Sequence, residues 1–294
     1  MVVQKAKEEE TVKKTVRFGE QAAVPAIGLG TWYMGEHAAQ RQQEVAALRA
    51  GIDHGLTVID TAEMYADGGA EEVVGQAIRG LRDRVVLVSK VYPWHAGGAA
   101  MRRACENSLR RLQTDYLDMY LLHWRGDIPL QETVEATEKL VAEGKIRRWG
   151  VSNLDTDDMQ ALWRTAGGER CATNQVLYHL ASRGIEYDLL PWCQQHTLPV
   201  MAYCPLAQAG RLRDGLFQHT DIINMANARG VTVAQLLLAW VIRHPGVLAI
   251  PKAASIEHVV QNAAALDIVL SAEELAQLDR LYPPPQRKTR LDMV

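Results

Sequence analysis

The chain has 294 residues, 48% of them hydrophobic and 23% charged, with a net charge of -3 at pH 7. This is the composition of a globular protein with room for a large core. The charge gives no reason to expect nucleic acid or an anionic membrane as a partner, and no apolar run approaches the ~18 residues of a membrane span.

The N-terminal residues 1–14, MVVQKAKEEETVKK, alternate in charge and are predicted to form a solvated, partly disordered tail. They do not resemble an export signal. The segments TVRFG (15–19) and AAVPAIGLGT (22–31) follow, and both are typical of short strands with a turn between them. We therefore expect an N-terminal β-hairpin before a single domain over residues 15–294.

An alternation of helices and strands fills the rest of the chain. Apolar residues spaced three and four apart predict helices over residues 40–55, 69–81, 99–112, 130–144 and 231–244. Short apolar runs between them predict eight strands over residues 27–32, 56–60, 85–90, 118–123, 146–153, 172–176, 199–205 and 247–252.

Eight strands alternating with helices indicate an α/β fold of the (β/α)8 TIM-barrel type, which typically needs ~250 residues. The rival architecture is a doubly wound open sheet, which usually shows a G-x-G-x-x-G turn after its first strand. Here the first strand ends in GLGTWYMG, whose glycines lack that spacing. The barrel is the better prediction.

Polar side chains close the predicted strands at their C-terminal ends. Asp60 ends the second strand, Lys90 the third and His123 the fourth, at intervals of 30 and 33 residues. These ends share one rim of a barrel, which carries the active site in this fold. Tyr65 follows Asp60 on a loop over the same rim.

These four side chains suit proton transfer to a carbonyl oxygen. A nearby ammonium stabilises a phenolate, so Lys90 is expected to lower the pKa of Tyr65, with Asp60 holding Lys90 charged. His123 supplies a donor that orients the carbonyl. The set contains no obvious nucleophile, so the reducing equivalent must come from elsewhere, and a nicotinamide fits. Trp32, Trp94 and Trp124 fall near strand ends and could wall an apolar substrate pocket.

The second half of the chain has features of a cofactor site. The segments GVSN and TNQV offer hydroxyl and amide groups for a carboxamide, and Tyr203 offers a ring for stacking. The segment PLAQAGRL is predicted to be a small-residue loop suited to a pyrophosphate. Lys252 precedes a helix that begins near Ser255, and together they predict an anion site.

These stretches resemble the aldo-keto reductases over nearly the whole chain after about residue 15. The motifs that carry the resemblance are GLGTW, IDTAEMY, VSKVYPW, SLRRLQTDYLDMYLLHW, GKIRRWGVSN, NQVLYH, AYCPL and IPKAAS. It implies a barrel fold and NADPH-dependent reduction of aldehydes and ketones, usually by a monomer. The segments GTWYMGE and DTAEMYADGGAEEVVG look most like the bacterial branch that reduces methylglyoxal and other small oxoaldehydes.

The resemblance also implies roles for individual residues. It makes Tyr65 the proton donor and His123 the residue that orients the carbonyl, with Asp60 and Lys90 completing the catalytic set. The substrate positions are Trp32, Tyr65, Trp94, His123 and Trp124. The cofactor positions are Gly30, Thr31, Trp32, Asp60, Ser152, Asn153, Gln175, Tyr203, Pro205, Leu206, Gln208, Gly210, Lys252, Ser255, His258, Gln261 and Asn262.

Two alternatives stay open at this stage. Lys90 could form a Schiff base in a barrel lyase, or the barrel could be a nucleotide-binding interaction module. The four cysteines form no C-x-x-C pair and the nine histidines no H-E-x-x-H motif, so we expect neither a disulfide framework nor a metal site. A reducing cytoplasm fits this cysteine usage.

Overall fold

A computed structural model describes residues 14–208 and 210–294. It begins with the predicted hairpin, in which β1 (Thr15–Val16) pairs antiparallel with β2 (Val24–Pro25). The tail predicted over residues 1–14 lies outside the described residues except for Lys14. The Lys14 Nζ donates to the carbonyl of Ile268 at 3.2 Å, so this residue is tied to the domain.

The predicted barrel is confirmed. Eight parallel strands form one sheet in chain order. They are β3 (Leu29–Gly30), β4 (Val58–Asp60), β5 (Val86–Val91), β6 (Leu117–Leu122), β7 (Ile146–Ser152), β8 (Asn174–Leu177), β9 (Val200–Tyr203) and β10 (Val247–Ala249).

The sheet closes on itself through two parallel bridges between its first and last strands. Ile27 pairs with Ala249, and Gly30 pairs with Lys252. A Cβ atom at Gly30 would lie 2.5 Å from the carbonyl oxygen of Ile250. Glycine is therefore required at this point, because the two strands approach too closely for a side chain.

Helices surround the barrel on its outer face. They are α1 (Arg41–Asp53), α2 (Gly69–Ala77), α3 (Gly98–Leu112), α4 (Leu130–Ala142), α5 (Thr156–Trp163), α6 (Leu189–Gln195), α7 (Gly210–Phe217), α8 (Thr220–Arg229), α9 (Val233–Val241), α10 (Ile256–Ala264) and α11 (Ala272–Leu281). The five predicted helical patterns correspond to α1–α4 and α9, and α10 begins directly after Ser255 as expected.

One prediction of local structure is wrong. The segment PLAQAGRL was expected to be a loop, but α7 begins within it at Gly210. The segments that became α5, α6, α8 and α11 were not predicted as helices. Among residues 14–208 and 210–294 no single helix is long and apolar enough to cross a membrane. The pair α8 and α9 passes that test only jointly and is bent by 93°.

The segment after α11 crosses the C-terminal rim of the barrel. The Lys288 Nζ donates to Asp188 Oδ1 at 2.8 Å and also to Asp155. The Ser182 hydroxyl donates to Asp292 at 2.6 Å. These contacts bring the last residues of the chain to the cleft at the barrel mouth.

Candidate active site

The four predicted catalytic residues meet at the C-terminal rim of the barrel. Asp60 is the last residue of β4, Lys90 lies in β5, and His123 directly follows β6. Tyr65 begins the tight turn Tyr65–Gly68 that follows β4, and all four side chains are buried. Residues that are distant in the sequence meet here because the parallel strands bring their C-terminal ends to one rim of the barrel.

Lys90 is completely buried and makes three hydrogen bonds. Its Nζ donates to Asp60 Oδ2 at 2.7 Å, to the carbonyl of Thr61 at 2.9 Å and to Tyr65 Oη at 2.9 Å. A lysine ammonium has three N–H donors. Three acceptors around one nitrogen therefore match the charged form of Lys90.

Asp60 and Lys90 form a tightly coupled buried pair. Burial lowers the pKa of Lys90, and the Asp60 carboxylate opposes that shift. Burial likewise raises the pKa of Asp60, which Lys90 and the Gln175 amide oppose. The Gln175 Nε2 donates to Asp60 Oδ1 at 2.7 Å. Both carboxylate oxygens thus accept a hydrogen bond, which favours the ion pair over two neutral groups.

The predicted contact between Lys90 and Tyr65 exists, but the expected direction of the Tyr65 pKa shift is wrong. Burial raises the pKa of Tyr65 well above its ordinary value, and the Asp60 carboxylate, Cys204 and Tyr203 act in the same direction. The sequence could not reveal how completely the phenol is buried. Tyr65 is accordingly a protonated phenol, whose oxygen accepts from Lys90.

His123 is neutral in this environment. Burial lowers its pKa to about 2, and the nearby Lys90 charge adds to the effect. Its ring packs edge-on against Tyr65 at a centroid distance of 5.8 Å. The Nδ1 atom is buried and has no hydrogen-bond partner among residues 14–208 and 210–294. His123 can therefore act as a neutral donor or acceptor, and not as an imidazolium.

The predicted carboxamide-binding residues form one hydrogen-bonded group beside these four. The Ser152 hydroxyl donates to the Gln175 carbonyl at 2.8 Å, and the Tyr203 hydroxyl donates to Asn153 Oδ1 at 2.9 Å. The Asn153 Nδ2 donates to the carbonyl of His123 at 3.1 Å. These bonds fix hydroxyl and amide groups at the barrel mouth.

One cleft of about 540 Å³ connects these groups. Most predicted site residues line it: Gly30, Thr31, Trp32, Asp60, Tyr65, His123, Trp124, Ser152, Asn153, Gln175, Tyr203, Pro205, Leu206, Gln208, Lys252, His258, Gln261 and Asn262. The volume lies within the ~300–1,000 Å³ of small-molecule and cofactor sites.

Some predicted site residues do not line the cleft. Lys90 lies behind Asp60 and Tyr65, and Gly210 is the first residue of α7. Ser255 caps α10 by accepting from the backbone N–H of His258 at 3.3 Å. Trp94 is 59% exposed and stacks on Tyr92 outside the cleft, although it contacts Trp124 at the rim.

The structure also adds lining residues that the sequence analysis missed. Arg213 brings a cation to the cleft from α7, directly after the segment PLAQAGRL that was expected to be a loop. Tyr33 accepts a hydrogen bond from Gln208 Nε2 at 2.8 Å, which bridges two of the lining loops. Other missed lining residues include Met64, Cys204, Phe217, Thr232, Met293 and Val294. The GRLR segment was the available signal for Arg213, since it carries two cations within one helical turn.

The fold and the site together define a barrel with a buried cluster of ionisable side chains beside a cleft at its C-terminal rim. Residues 26–283 match the model of the aldo/keto reductase family. The chain is 67% identical over 282 residues to Methylglyoxal reductase YeaE of Escherichia coli, covering 96% of this chain and 99% of that protein. The chain belongs to the aldo/keto reductase family.

Two crystal structures of an aldo/keto reductase from Klebsiella pneumoniae are also similar. One is a complex with NADP and acetate and the other a complex with NADPH. Each is 96% identical to this chain, covers 96% of it and 100% of the crystallised chain, and superposes with a TM-score of 0.95. The fold seen here is therefore also that of an experimentally determined relative.

Proposed function

We propose that this protein reduces small aldehydes and oxoaldehydes such as methylglyoxal to alcohols, with NADPH as the reductant. The observation that carries the proposal is the Asp60–Lys90–Tyr65 cluster at the inner end of the cleft. The Escherichia coli relative, named a methylglyoxal reductase, supports the substrate class. The Klebsiella pneumoniae structures with NADP and NADPH support the cofactor.

The residues of the cleft fit NADPH. Ser152, Asn153 and Gln175 present the hydroxyl and amide groups that a carboxamide requires. Arg213, Lys252 and His258 also line the cleft and could pair with phosphate groups. When bound, NADPH would supply the two-electron reducing equivalent for the carbonyl carbon.

The chain's own residues supply the proton. Because the Tyr65 oxygen accepts from Lys90, its O–H is free to donate into the cleft, towards a substrate oxygen. The Lys90 ammonium stabilises the phenolate that this donation leaves. Asp60 keeps Lys90 charged, and neutral His123 orients the substrate oxygen by a hydrogen bond.

We also propose the domain organisation, oligomeric state, partners and cellular location of the enzyme. We propose that residues 15–294 act as one domain and that the enzyme is a monomer with a small carbonyl substrate and no nucleic acid or membrane partner. The cytoplasm is the proposed location, which the four free cysteines support.

A screen of NADPH oxidation with about twenty carbonyl compounds tests the function, since selectivity is a ratio of kcat/KM values. The cleft is walled by Trp32, Trp124 and Met293, so methylglyoxal should give a higher kcat/KM than a bulky steroid ketone. A clear preference for the steroid would contradict the small-substrate proposal. Absence of turnover with every compound would contradict the enzymatic function itself.

A further inference from the structure

A second buried charge cluster lies on the outer side of β5, next to the Lys90–Tyr65 contact. Successive strand residues face opposite sides, so Ser89 faces the helices while Lys90 faces Asp60. The Ser89 hydroxyl donates to Glu71 Oε1 at 2.6 Å. The Arg111 Nε donates to Glu71 Oε2 at 2.6 Å. Glu71 is completely buried, and both its oxygens are thus occupied.

Arg111 also touches the loop that carries Tyr65. After Tyr65 the backbone is left-handed at three successive residues, with φ of 50° at Ala66, 51° at Asp67 and 89° at Gly68. This conformation is unfavourable for alanine and aspartate, and it persists only where surrounding contacts hold it. A Cβ atom at Gly68 would lie 2.5 Å from Cδ and Nε of Arg111. The Arg111 side chain therefore lies directly against this loop.

The same cluster acts on both partners of the Lys90–Tyr65 contact. Glu71 lies in the first turn of α2, which continues the Tyr65 loop, and its bond to Ser89 ties that helix to β5. The Glu71 charge also opposes, together with Asp60, the effect of burial on the pKa of Lys90. Neither Glu71 nor Arg111 lines the cleft. Any effect they have on the reaction must therefore pass through Lys90 and Tyr65.

We propose that Glu71 and Arg111 are positioning residues, which hold the Tyr65 loop against β5 and so fix the distance between Tyr65 and Lys90. The inference rests on the proposed role of Tyr65 as proton donor. Neither residue lines the cleft, so neither is placed in contact with substrate or cofactor. Loss of their ion pair should slow the proton-transfer step and leave substrate and cofactor affinity unchanged.

The neighbouring residue of α2 provides a matched control. Glu72 pairs with Arg41 at 3.0 Å, but their side chains are 48% and 31% exposed. Surface pairs of this kind contribute little to stability. Glu72→Gln and Arg41→Met therefore remove an ion pair from the same helix without touching the Tyr65 loop.

The test compares Glu71→Gln, Arg111→Met and their double variant with the control pair. The measurements are kcat and KM for methylglyoxal, NADPH affinity by quenching of tryptophan fluorescence, and a thermal melt. A misplacement of about 1 Å can cost up to ~10²-fold in rate, so kcat should fall at least about tenfold. The KM and the NADPH affinity should stay within about twofold, as should every constant of the control variants.

The double variant distinguishes a shared positioning role from two independent losses of activity. The effects of substituting residues that act as one unit are not additive. The kcat of the double variant should therefore be no lower than that of the less active single variant. If a single variant does not fold, the double variant carries the test, because it leaves no buried charge unpaired. A folded double variant with kcat within about twofold of the wild type would overturn the proposal. So would losses confined to KM, to NADPH affinity or to the melting temperature.

A spectroscopic readout keeps this inference distinct from the proposed function. The resonance of isotope-labelled Tyr65, assigned by its loss in Tyr65→Phe, should move in the Glu71 and Arg111 variants and stay in the control variants. If the wild type reduces no carbonyl, the proposed function fails, and this signal still shows whether the cluster positions Tyr65. An unchanged Tyr65 resonance in all variants would overturn the positioning role.

Discussion

The Lys90 ammonium donates to the Tyr65 hydroxyl oxygen over 2.9 Å, and this contact determines which way the phenol can give its proton. The oxygen accepts on the buried side, so the O–H is left for the cleft. Burial raises the pKa of Tyr65, which keeps the proton in place at neutral pH. In the proposed reaction, donation is therefore favourable only when negative charge develops on the substrate oxygen.

Replacement of Lys90 should separate its structural role from its catalytic one. Lys90→Met leaves the Asp60 carboxylate buried with only the Gln175 amide, and removal of one partner from a buried pair costs about 3–5 kcal/mol. The melting temperature should therefore fall and turnover should collapse. The control is Lys90→Met with Asp60→Asn, which should recover stability without recovering turnover. Full recovery of turnover in that double variant would contradict the role assigned to Lys90.

The low pKa of His123 predicts an acid-sensitive fold. The folded protein holds His123 neutral down to about pH 2, whereas the unfolded chain binds a proton below about pH 6.5. The unfolded state therefore binds more protons as the pH falls. The stability that neutral His123 contributes is fully present above about pH 6.5. Below that pH, protonation of His123 in the unfolded chain lowers the free energy of unfolding by about 1.4 kcal/mol per pH unit.

Urea unfolding of the wild type and of His123→Asn at several pH values measures this effect. The slope of the free energy of unfolding against pH should be smaller in the variant by about one proton between pH 6 and 4. The other buried histidine, His179, has a pKa lowered to about 4 by burial and contributes equally to both proteins. Equal slopes of the free energy of unfolding against pH in the wild type and in His123→Asn would show that the fold does not hold His123 neutral.

Cofactor selectivity should depend on Lys252. It is exposed, lines the cleft and precedes α10, which Ser255 caps. A charge-assisted contact contributes about 1.5–3 kcal/mol, so Lys252→Ala should weaken NADPH by roughly ten- to a hundredfold. NADH lacks the 2′-phosphate and should bind as before.

The matched control for Lys252 is Lys139→Ala, which removes an exposed lysine of α4 that does not line the cleft. Titration of each protein with NADPH and with NADH gives the four affinities needed. An equal loss for both cofactors in Lys252→Ala would assign Lys252 to general binding. Unchanged NADPH affinity would remove it from the site.

The sequence predicted the barrel because most strands contain a short apolar run, and strand ends carry the polar groups of the site. It missed α5, α6, α8 and α11, although Ser271 and Glu274 form a capping box at the start of α11 that was an available signal. Arg213 was missed because it directly follows the segment that was interpreted as a loop and lies in a helix that was not predicted.

The sequence also could not predict how deeply side chains are buried or which residues surround them in the folded chain. The direction of the Tyr65 pKa shift depends on how completely the phenol is enclosed, which no local pattern encodes. Glu71 looks like an ordinary acidic residue in the first turn of a helix. Only the folded chain shows its contacts with Ser89 and Arg111. The same holds for Met293, which the folded C-terminal segment brings to the cleft.

Tyr65 is proposed to donate the proton in an NADPH-dependent reduction. The most direct test is the turnover of methylglyoxal by purified, folded Tyr65→Phe, with NADPH binding measured on the same sample. Tyr92→Phe is the control, since Tyr92 lies near this site without lining the cleft. Loss of the general acid should lower turnover ~10²-fold or more and leave NADPH binding intact. A Tyr65→Phe enzyme that keeps more than about half of the wild-type turnover would contradict the claim.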